Sequence, residues 1–429
     1  MKKTWLASLA SLASLAHRIT LVSSMTAPTT APTTASAMAT SAASKKLPTL
    51  RGVVFDMDGT LTIPNLDFGE MYRRCGVDQS KDILEEIATR SKEDQEIAFA
   101  AIDDLEEEGR RTLQLMPGAA ELTCWLAHHQ IPMALVTRNT RKSTKVLTDR
   151  LLPPPVHFDV VVPRDDEQGL APKPYPDAMQ HIAKKWSMEL PNDGIFMVGD
   201  SVENDIAFGK NAGVATALLD TEKIHSESGA DFVMSELTAL ARHLWTNYDI
   251  DSPLGTAART LEKYPRPTPT NDITKAAANG DMEAMRELAK SDGFDINKVD
   301  DSKNTALTWA TEHNQLEVVQ WILSEFANRV EKDHKGYLGA TAITRASRLG
   351  HYEILKALIE AGADMDEPND KLQYPLHFAA FKEKKDAVAI LLENGANPRS
   401  LDRKGRTPAQ DTKNEAIRDM ILACASNGA

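Results

Sequence analysis

Short apolar runs alternate with longer amphipathic segments between about residues 48 and 248. Runs that are apolar throughout are typical of parallel strands that helices cover on both faces. Strands that alternate with helices predict a doubly wound, Rossmann-like parallel sheet of the α/β class, with right-handed crossovers. The predicted strands are residues 52–55, 133–136, 158–162, 194–198 and 214–218.

One block interrupts this alternation. Between Asn65 and about Leu115 the sequence has only helical periodicity, with predicted helices at residues 81–90 and 93–111. The block follows the first strand and its loop directly. We therefore predict a helical cap, inserted over about residues 63–115 into a domain that spans residues 48–248.

The C-terminal part of the chain carries a repeat of about 33 residues. Residues 374–380 match the T-P-L-H-x-A signature, and the same frame recurs one period away on either side, at Thr341 and Thr407. Another copy starts at Thr305, and a divergent one runs from Ile273. Residues 270–425 therefore resemble the ankyrin-repeat family, which implies an all-α solenoid whose terminal repeats present a polar outer face.

Two further segments differ from these domains. Four prolines and a glycine predict an extended linker over residues 249–269. Residues 1–47 contain no acid, carry scattered Lys and Arg, and are rich in Ser, Thr and Ala, as in organellar transit peptides. We expect a plastid or mitochondrial leader, with a disordered tail of a cytoplasmic protein as the alternative. Its apolar run, residues 5–16, is too short for a stable membrane span.

The length and net charge of the chain limit the number of its domains and the classes of partner that it can bind. A chain of 429 residues suggests two or three domains. The formal net charge of −13 argues against nucleic acid as a partner, because nucleic-acid binding needs clustered Lys and Arg.

Two carboxylates follow the first predicted strand directly. Asp56 and Asp58 come after Val53-Val54-Phe55, and Gly59 marks a sharp turn. Ligands bind at the carboxyl ends of strands in open α/β sheets. Two acids so close together are costly unless a cation or a proton separates their charges. The pattern predicts chemistry at this strand end.

Polar residues also follow later predicted strands, in an order that a known family shares. Thr137 ends the second strand, Lys173 precedes a Pro-started helix, and Asp200 and Asp205 follow the fourth strand. With the first two acids, these residues resemble the four motifs of the haloacid dehalogenase-like hydrolase superfamily. The resemblance covers about residues 50–245 and implies a hydrolase core with a cap after the first motif.

The resemblance implies a role for each motif acid. Asp56 would be a nucleophile, and Asp58 would protonate the leaving group and later deprotonate water. Mg²⁺ would be the cofactor, held by the carboxylates of Asp56 and Asp200 and the backbone carbonyl of Asp58. Asp205 would lie near the metal or orient Lys173.

The remaining candidates would contact the substrate. Thr137 would donate a hydrogen bond to a phosphoryl oxygen, and Lys173 would supply positive charge to the phosphoryl group. Arg138 is a candidate contact for an anionic substrate, with a solvated loop cation as the alternative.

These roles predict a Mg²⁺-dependent phosphatase that acts on a small phosphorylated metabolite through an aspartyl-phosphate. An acid at position 58 disfavours dehalogenation, because dehalogenases of the superfamily lack it. The alternatives are a phosphomutase and a non-catalytic interaction protein with a hydrolase-like module. The repeats predict an unknown protein partner, and a phosphoprotein recruited by them is an alternative substrate.

Overall fold

The strands of the chain form one parallel sheet. The computed structural model describes residues 47–81, 83–225, 227–252, 254 and 267–427, so most of the predicted leader and much of the predicted linker lie outside the described residues. The sheet has six strands in the order β3-β2-β1-β4-β5-β6, and every neighbouring pair is parallel. The strands are β1 Gly52–Phe55, β2 Met133–Val136, β3 Val160–Val162, β4 Asn192–Gly199, β5 Val214–Leu219 and β6 Phe232–Met234.

The predicted fold class is confirmed, with small differences in strand bounds and one additional strand. The third strand begins at Val160 and is shorter than predicted, whereas the fourth and fifth strands are slightly longer. The sixth strand was not predicted. It has three residues at the edge of the sheet, so its apolar run is shorter than those of the central strands, and Val233 is 45% exposed.

Helices cover both faces of the sheet. The helices in this region are α4 Ala119–His128, α5 Arg141–Val146, α6 Asp177–Lys185, α7 Ala207–Ala212 and α8 Thr238–Asn247. Val53 and Phe55 of β1 share a core with α4 and α8, whereas Val54 shares a second core with α6 and α7. This alternation of side chains along a strand that is buried on both faces fixes β1 in the middle of the fold.

Residues 65–112 form a helical unit with a core of their own. It consists of α1 Phe68–Cys75, α2 Ile83–Ala88 and α3 Lys92–Thr112, of which α1 was not among the predicted helices. Buried Met71, Ile87 and Ile102 belong to its core. The role of this unit as a cap stays a prediction.

Five helix pairs follow the linker, as expected of ankyrin repeats. They are α9 Asp272–Asn279 with α10 Met282–Ala289, α11 Ala306–Glu312 with α12 Leu316–Glu325, α13 Ala342–Leu349 with α14 Tyr352–Glu360, α15 Pro375–Phe381 with α16 Lys385–Glu393, and α17 Pro408–Asp411 with α18 Glu415–Asn427. One continuous apolar core runs through all of them. Thr305 and Thr341 cap the first helices of their repeats by accepting from the backbone N–H three residues later.

No helix in the part of the chain that the structure describes combines the length and the apolar character needed to cross a membrane.

Candidate active site

Three neighbouring strands bring the predicted site residues to one edge of the sheet. Asp56 follows β1, and its N–H donates to the Val198 carbonyl of β4 at 2.9 Å. Thr137 follows β2, and its N–H donates to the Val162 carbonyl of β3 at 3.0 Å. The carboxyl ends of parallel strands meet at the same edge. The sheet itself therefore sets the spacing of these side chains.

A cluster of three carboxylates lies at this edge. One oxygen each from Asp56, Asp200 and Asp205 lie within 4.8 Å of one another. Asp56 is 8% exposed and Asp205 is 1% exposed. The ammonium of Lys173, which is also buried, bonds to Asp56 and lies 2.6 Å from Asp205 Oδ1. The structure thus joins three of the predicted site residues in one ion-pair network and places a carboxylate oxygen of Asp200 close to it.

Burial and crowding shift the protonation equilibria of this cluster. Desolvation raises the pKa of Asp56, and the charge of Lys173 only partly offsets it while Asp205 and Asp200 add to it. Desolvation and Asp205 together raise the pKa of Asp200 to about 6. Burial opposes the charge of Lys173, but Asp205 and Asp56 outweigh it and raise its pKa. A cluster with one ammonium and three carboxylates is therefore short of positive charge.

The cluster fits a small divalent cation. Carboxylate oxygens are the ligands that Mg²⁺ prefers, and a cation beside them would lower the raised pKa values of Asp56 and Asp200. Asp56 and Asp200 would hold the ion with the backbone carbonyl of Asp58. Asp205 is already engaged by Lys173 and by the Ser201 N–H at 3.1 Å, which suits it to orient the lysine.

The turn after β1 depends on a glycine. Gly59 has φ +80°, and a Cβ at this position would lie 2.2 Å from Asp200 Oδ2. The next residue, Thr60, donates its hydroxyl to Asp200 Oδ1 at 3.3 Å. A residue with a side chain at position 59 would displace the carboxylate of Asp200 from the cluster.

Asp58 is held by two donors. The Thr62 hydroxyl donates to Oδ1 at 3.0 Å, and the Asn139 side-chain amide donates to Oδ2 at 2.7 Å. Asn139 was missed as a site residue by the sequence interpretation. Its place two residues after Thr137, in the same strand-end loop, was the available signal. Together the two donors fix the direction in which Asp58 presents its carboxyl group.

Thr137 and Arg138 border the same cluster. The hydroxyl oxygen of Thr137 accepts from the Asn139 backbone N–H at 3.0 Å and from its amide at 3.4 Å. A hydroxyl that accepts on its oxygen can direct its own hydrogen elsewhere. Arg138 is half-buried, and its guanidinium donates to the backbone carbonyl of Lys173 at 3.3 Å. The guanidinium therefore lies beside the backbone of Lys173.

Comparisons with known proteins find relatives for both the sheet-containing part and the repeats. A family model described as haloacid dehalogenase-like hydrolase matches residues 50–213, and an ankyrin-repeat model matches residues 273–369 and 343–411. A haloacid dehalogenase-like hydrolase domain-containing protein of Arabidopsis thaliana is 39% identical over 221 residues, which cover 47% of this chain and 86% of that protein.

Two further relatives match the chain over different fractions of their own length. An uncharacterized hydrolase of Saccharomyces cerevisiae is 34% identical over 177 residues, 40% of this chain and 78% of that protein. A putative palmitoyltransferase of Danio rerio is 29% identical over 145 residues, 34% of this chain but only 22% of that protein.

Proposed function

Because the chain belongs to the haloacid dehalogenase-like hydrolases, we propose that it is a Mg²⁺-dependent phosphatase that hydrolyses a phosphate monoester of a small metabolite. One observation carries the proposal. The carboxylate of Asp56 lies at a strand end and is paired with the buried ammonium of Lys173. One of its oxygens lies within 4.8 Å of an oxygen of Asp200 and an oxygen of Asp205. This arrangement supports a reaction in which a nucleophile, a fixed cation and metal ligands act at one point.

The reaction has two steps at phosphorus. An oxygen of Asp56 attacks phosphorus, the bond to the ester oxygen breaks, and Asp58 gives its proton to the departing alkoxide. Water then attacks the aspartyl-phosphate and gives a proton to Asp58. The bond between phosphorus and the Asp56 oxygen breaks, which releases inorganic phosphate and restores both carboxyl groups.

Other side chains hold the transferring group. Lys173 balances charge on the phosphoryl oxygens and on Asp56, and Thr137 donates its hydroxyl hydrogen to a phosphoryl oxygen. Arg138 is placed to contact an anionic part of the substrate. Mg²⁺, when bound, supplies positive charge to the phosphoryl oxygens and to the carboxylates around it.

The test is phosphate release by the purified full chain. We expect release from at least one compound in a panel of phosphorylated metabolites, phosphopeptides and p-nitrophenyl phosphate, and we expect a chelator to stop it. Asp200→Asn keeps the shape of one proposed metal ligand and removes its charge. Phosphate release should therefore fall in this variant too. Phosphate release that persists in the chelator, or a full chain that turns over none of the panel with Mg²⁺ present, contradicts the proposal.

Asn139 is expected to act as a positioning residue for Asp58. Asn139→Ala removes the 2.7 Å hydrogen bond to Asp58 Oδ2 and leaves the acid free to rotate. We expect the rate at which an alkyl phosphate releases its alcohol in the first turnover to fall roughly 10-fold or more, because the alkoxide needs a proton from Asp58 in that step. The loss should be smaller for p-nitrophenyl phosphate, whose leaving group departs without one.

The comparison of the two substrates separates positioning from general damage. Asn247→Ala is the control, since this exposed amide bonds to His243 of its own helix. Equal losses for both substrates in Asn139→Ala would mean that the residue serves the fold of the loop and not the placement of the acid.

A further inference from the structure

The loops between repeats project tips that share one turn geometry. We define them by residue numbers as tip 299–304, tip 369–374 and tip 401–406. In each tip one side-chain oxygen accepts two backbone N–H groups, and the accepting residues are Asp300, Asn369 and Asp402. Because their backbones turn in the same way, the three tips can be compared position by position when positions are counted from the accepting residue.

Tip 401–406 bonds to helix α4 of the hydrolase core. Trp125 donates its indole N–H to the Asp402 carbonyl at 3.0 Å. His129 Nε2 lies 2.9 Å from the Arg403 carbonyl, so that nitrogen donates, and Nδ1 accepts from the Ser252 hydroxyl at 2.8 Å. His129 is fully buried, and desolvation lowers its pKa to about 4, so the contact holds an uncharged imidazole.

The same tip approaches helix α8 closely. A Cβ at Gly405 would lie 2.4 Å from the Ala241 carbonyl carbon and 2.6 Å from the Arg242 nitrogen. Gly405 also has φ +65°, yet the matching Lys303 of tip 299–304 adopts φ +61° with a side chain. The turn alone therefore tolerates a side chain, and the approach of α8 is what requires glycine.

Tip 369–374 contributes apolar contact. Leu372 is 2% exposed and belongs to the same core as Phe55 and Trp125, although it adopts φ +53°, a conformation unfavourable for a leucine. Leu401 is also 2% exposed in that core, whereas the matching Val299 is 42% exposed. Two tips thus carry residues fitted to the hydrolase core, and the first tip does not.

A polar contact lengthens this surface along α4. The Asn397 amide donates to Glu121 Oε1 at 2.8 Å, near the start of the helix. Glu121, Trp125 and His129 are four residues apart, so Glu121 and Trp125 lie on one face of α4 and His129, its C-cap residue, continues that face. Partners from the repeats therefore cover the whole length of this helix face.

We propose that tips 369–374 and 401–406 are a permanent docking surface for α4 and α8, so that the hydrolase core and the repeats act as one body without help from the linker. The occupant of this surface is the chain itself. A protein partner must then bind elsewhere on the repeats, and it is held at a fixed distance from the carboxylate cluster. This proposal does not depend on the phosphatase activity.

The test cuts the folded full chain within the predicted linker. A site-specific protease sequence is inserted after residue 260, the purified protein is cleaved, and the products are run on a size-exclusion column. We expect the two fragments to elute together at the volume of the uncut protein. Elution of the wild-type fragments as two separate species at micromolar concentration would overturn the proposal.

Two variants test the tips themselves. Gly405→Lys introduces the residue that tip 299–304 already carries in the same conformation, so the repeat is expected to fold while its approach to α8 is blocked. Leu401→Asp places a charge in the apolar contact. We expect each to weaken fragment association by at least about 30-fold.

Val299→Asp is the matched control. It places the same charge at the position that matches Leu401, but Val299 is 42% exposed and is not part of the contact with the hydrolase core. Circular dichroism of each cleaved variant checks that the repeats remain helical. Association unchanged in both Gly405→Lys and Leu401→Asp would show that the tips do not hold the two parts together.

Discussion

Asp56→Asn is expected to abolish Mg²⁺-dependent phosphate release, with a loss of at least about 10³-fold in kcat. The amide keeps the shape of the side chain, but it cannot form the bond to phosphorus that the proposed first step requires. Neutralising a buried acid whose pKa is raised removes an unfavourable desolvation, so the fold should tolerate the change. Turnover and thermal unfolding are measured on the same preparation.

The covalent step offers a direct check of this result. Borohydride added during turnover should reduce an aspartyl-phosphate to homoserine, which peptide mass spectrometry would find at position 56 in the wild-type chain and not in Asp56→Asn. Asp58→Asn is the control, since it removes the proton donor while leaving the nucleophile. Undiminished phosphate release by Asp56→Asn would rule out this residue as the nucleophile.

The sequence predicts the central part of the fold because of how parallel strands are buried. Strands covered on both faces are continuous apolar runs, so five strands could be placed, including the short edge strand β3, whereas the three-residue run of β6 was missed. Residues that follow such strands are brought together by the sheet. The convergence of Asp56, Thr137 and Asp200 could therefore be anticipated from the positions of the strands alone.

Side-chain direction within loops could not be predicted in the same way. Asn139 reaches Asp58 across 81 positions of sequence, and only the path of the loop after β2 shows that its amide points there. The docking of the repeats on the hydrolase core could not be predicted for a similar reason. Leu372 and Leu401 stand in otherwise polar turns, a signal that gains meaning only when α4 and α8 are found against them.

The carboxylate cluster also explains why the site needs a lysine within it. Desolvation raises the pKa of Asp56 and of Asp200 even with Lys173 present. One cation is therefore too little to keep both acids fully ionised near neutral pH, and a divalent ion would complete the balance. The lysine offsets part of the buried negative charge, and the proposed divalent ion would offset more of it.

Lys173→Met is accordingly expected to lower the stability of the chain strongly. The substitution keeps most of the length of the side chain but leaves Asp56 and Asp205 facing each other in a buried space without their shared ammonium. Breaking a buried ion pair from one side costs about 3–5 kcal/mol in free energy of unfolding. Denaturant unfolding of the chelated protein at neutral pH measures this loss, and phosphate release should vanish with it.

The dependence on pH distinguishes this mechanism from simple loss of packing. Lys173 lowers the pKa of Asp56, so its removal raises that pKa further. An acid whose folded-state pKa lies above its unfolded value destabilises the fold increasingly as pH rises from the unfolded pKa to the folded pKa. With Lys173 present the pKa of Asp56 is raised to about 8, so the deficit of Lys173→Met should grow as pH rises above about 8 and shrink as pH falls back to that value.

An exposed lysine supplies the matched control. Lys210 forms a comparable pair with Asp231 at 2.7 Å, but the two side chains are 42% and 47% exposed. Lys210→Met should cost no more than about 1 kcal/mol, because water screens the pair and solvates the carboxylate that remains. If Lys173→Met costs no more than Lys210→Met, or if its deficit does not change with pH, the carboxylates are not charged together in the folded protein. The role of the ammonium would then be packing and not charge balance. The proposal that a second cation balances the charge of the carboxylates would lose its physical basis.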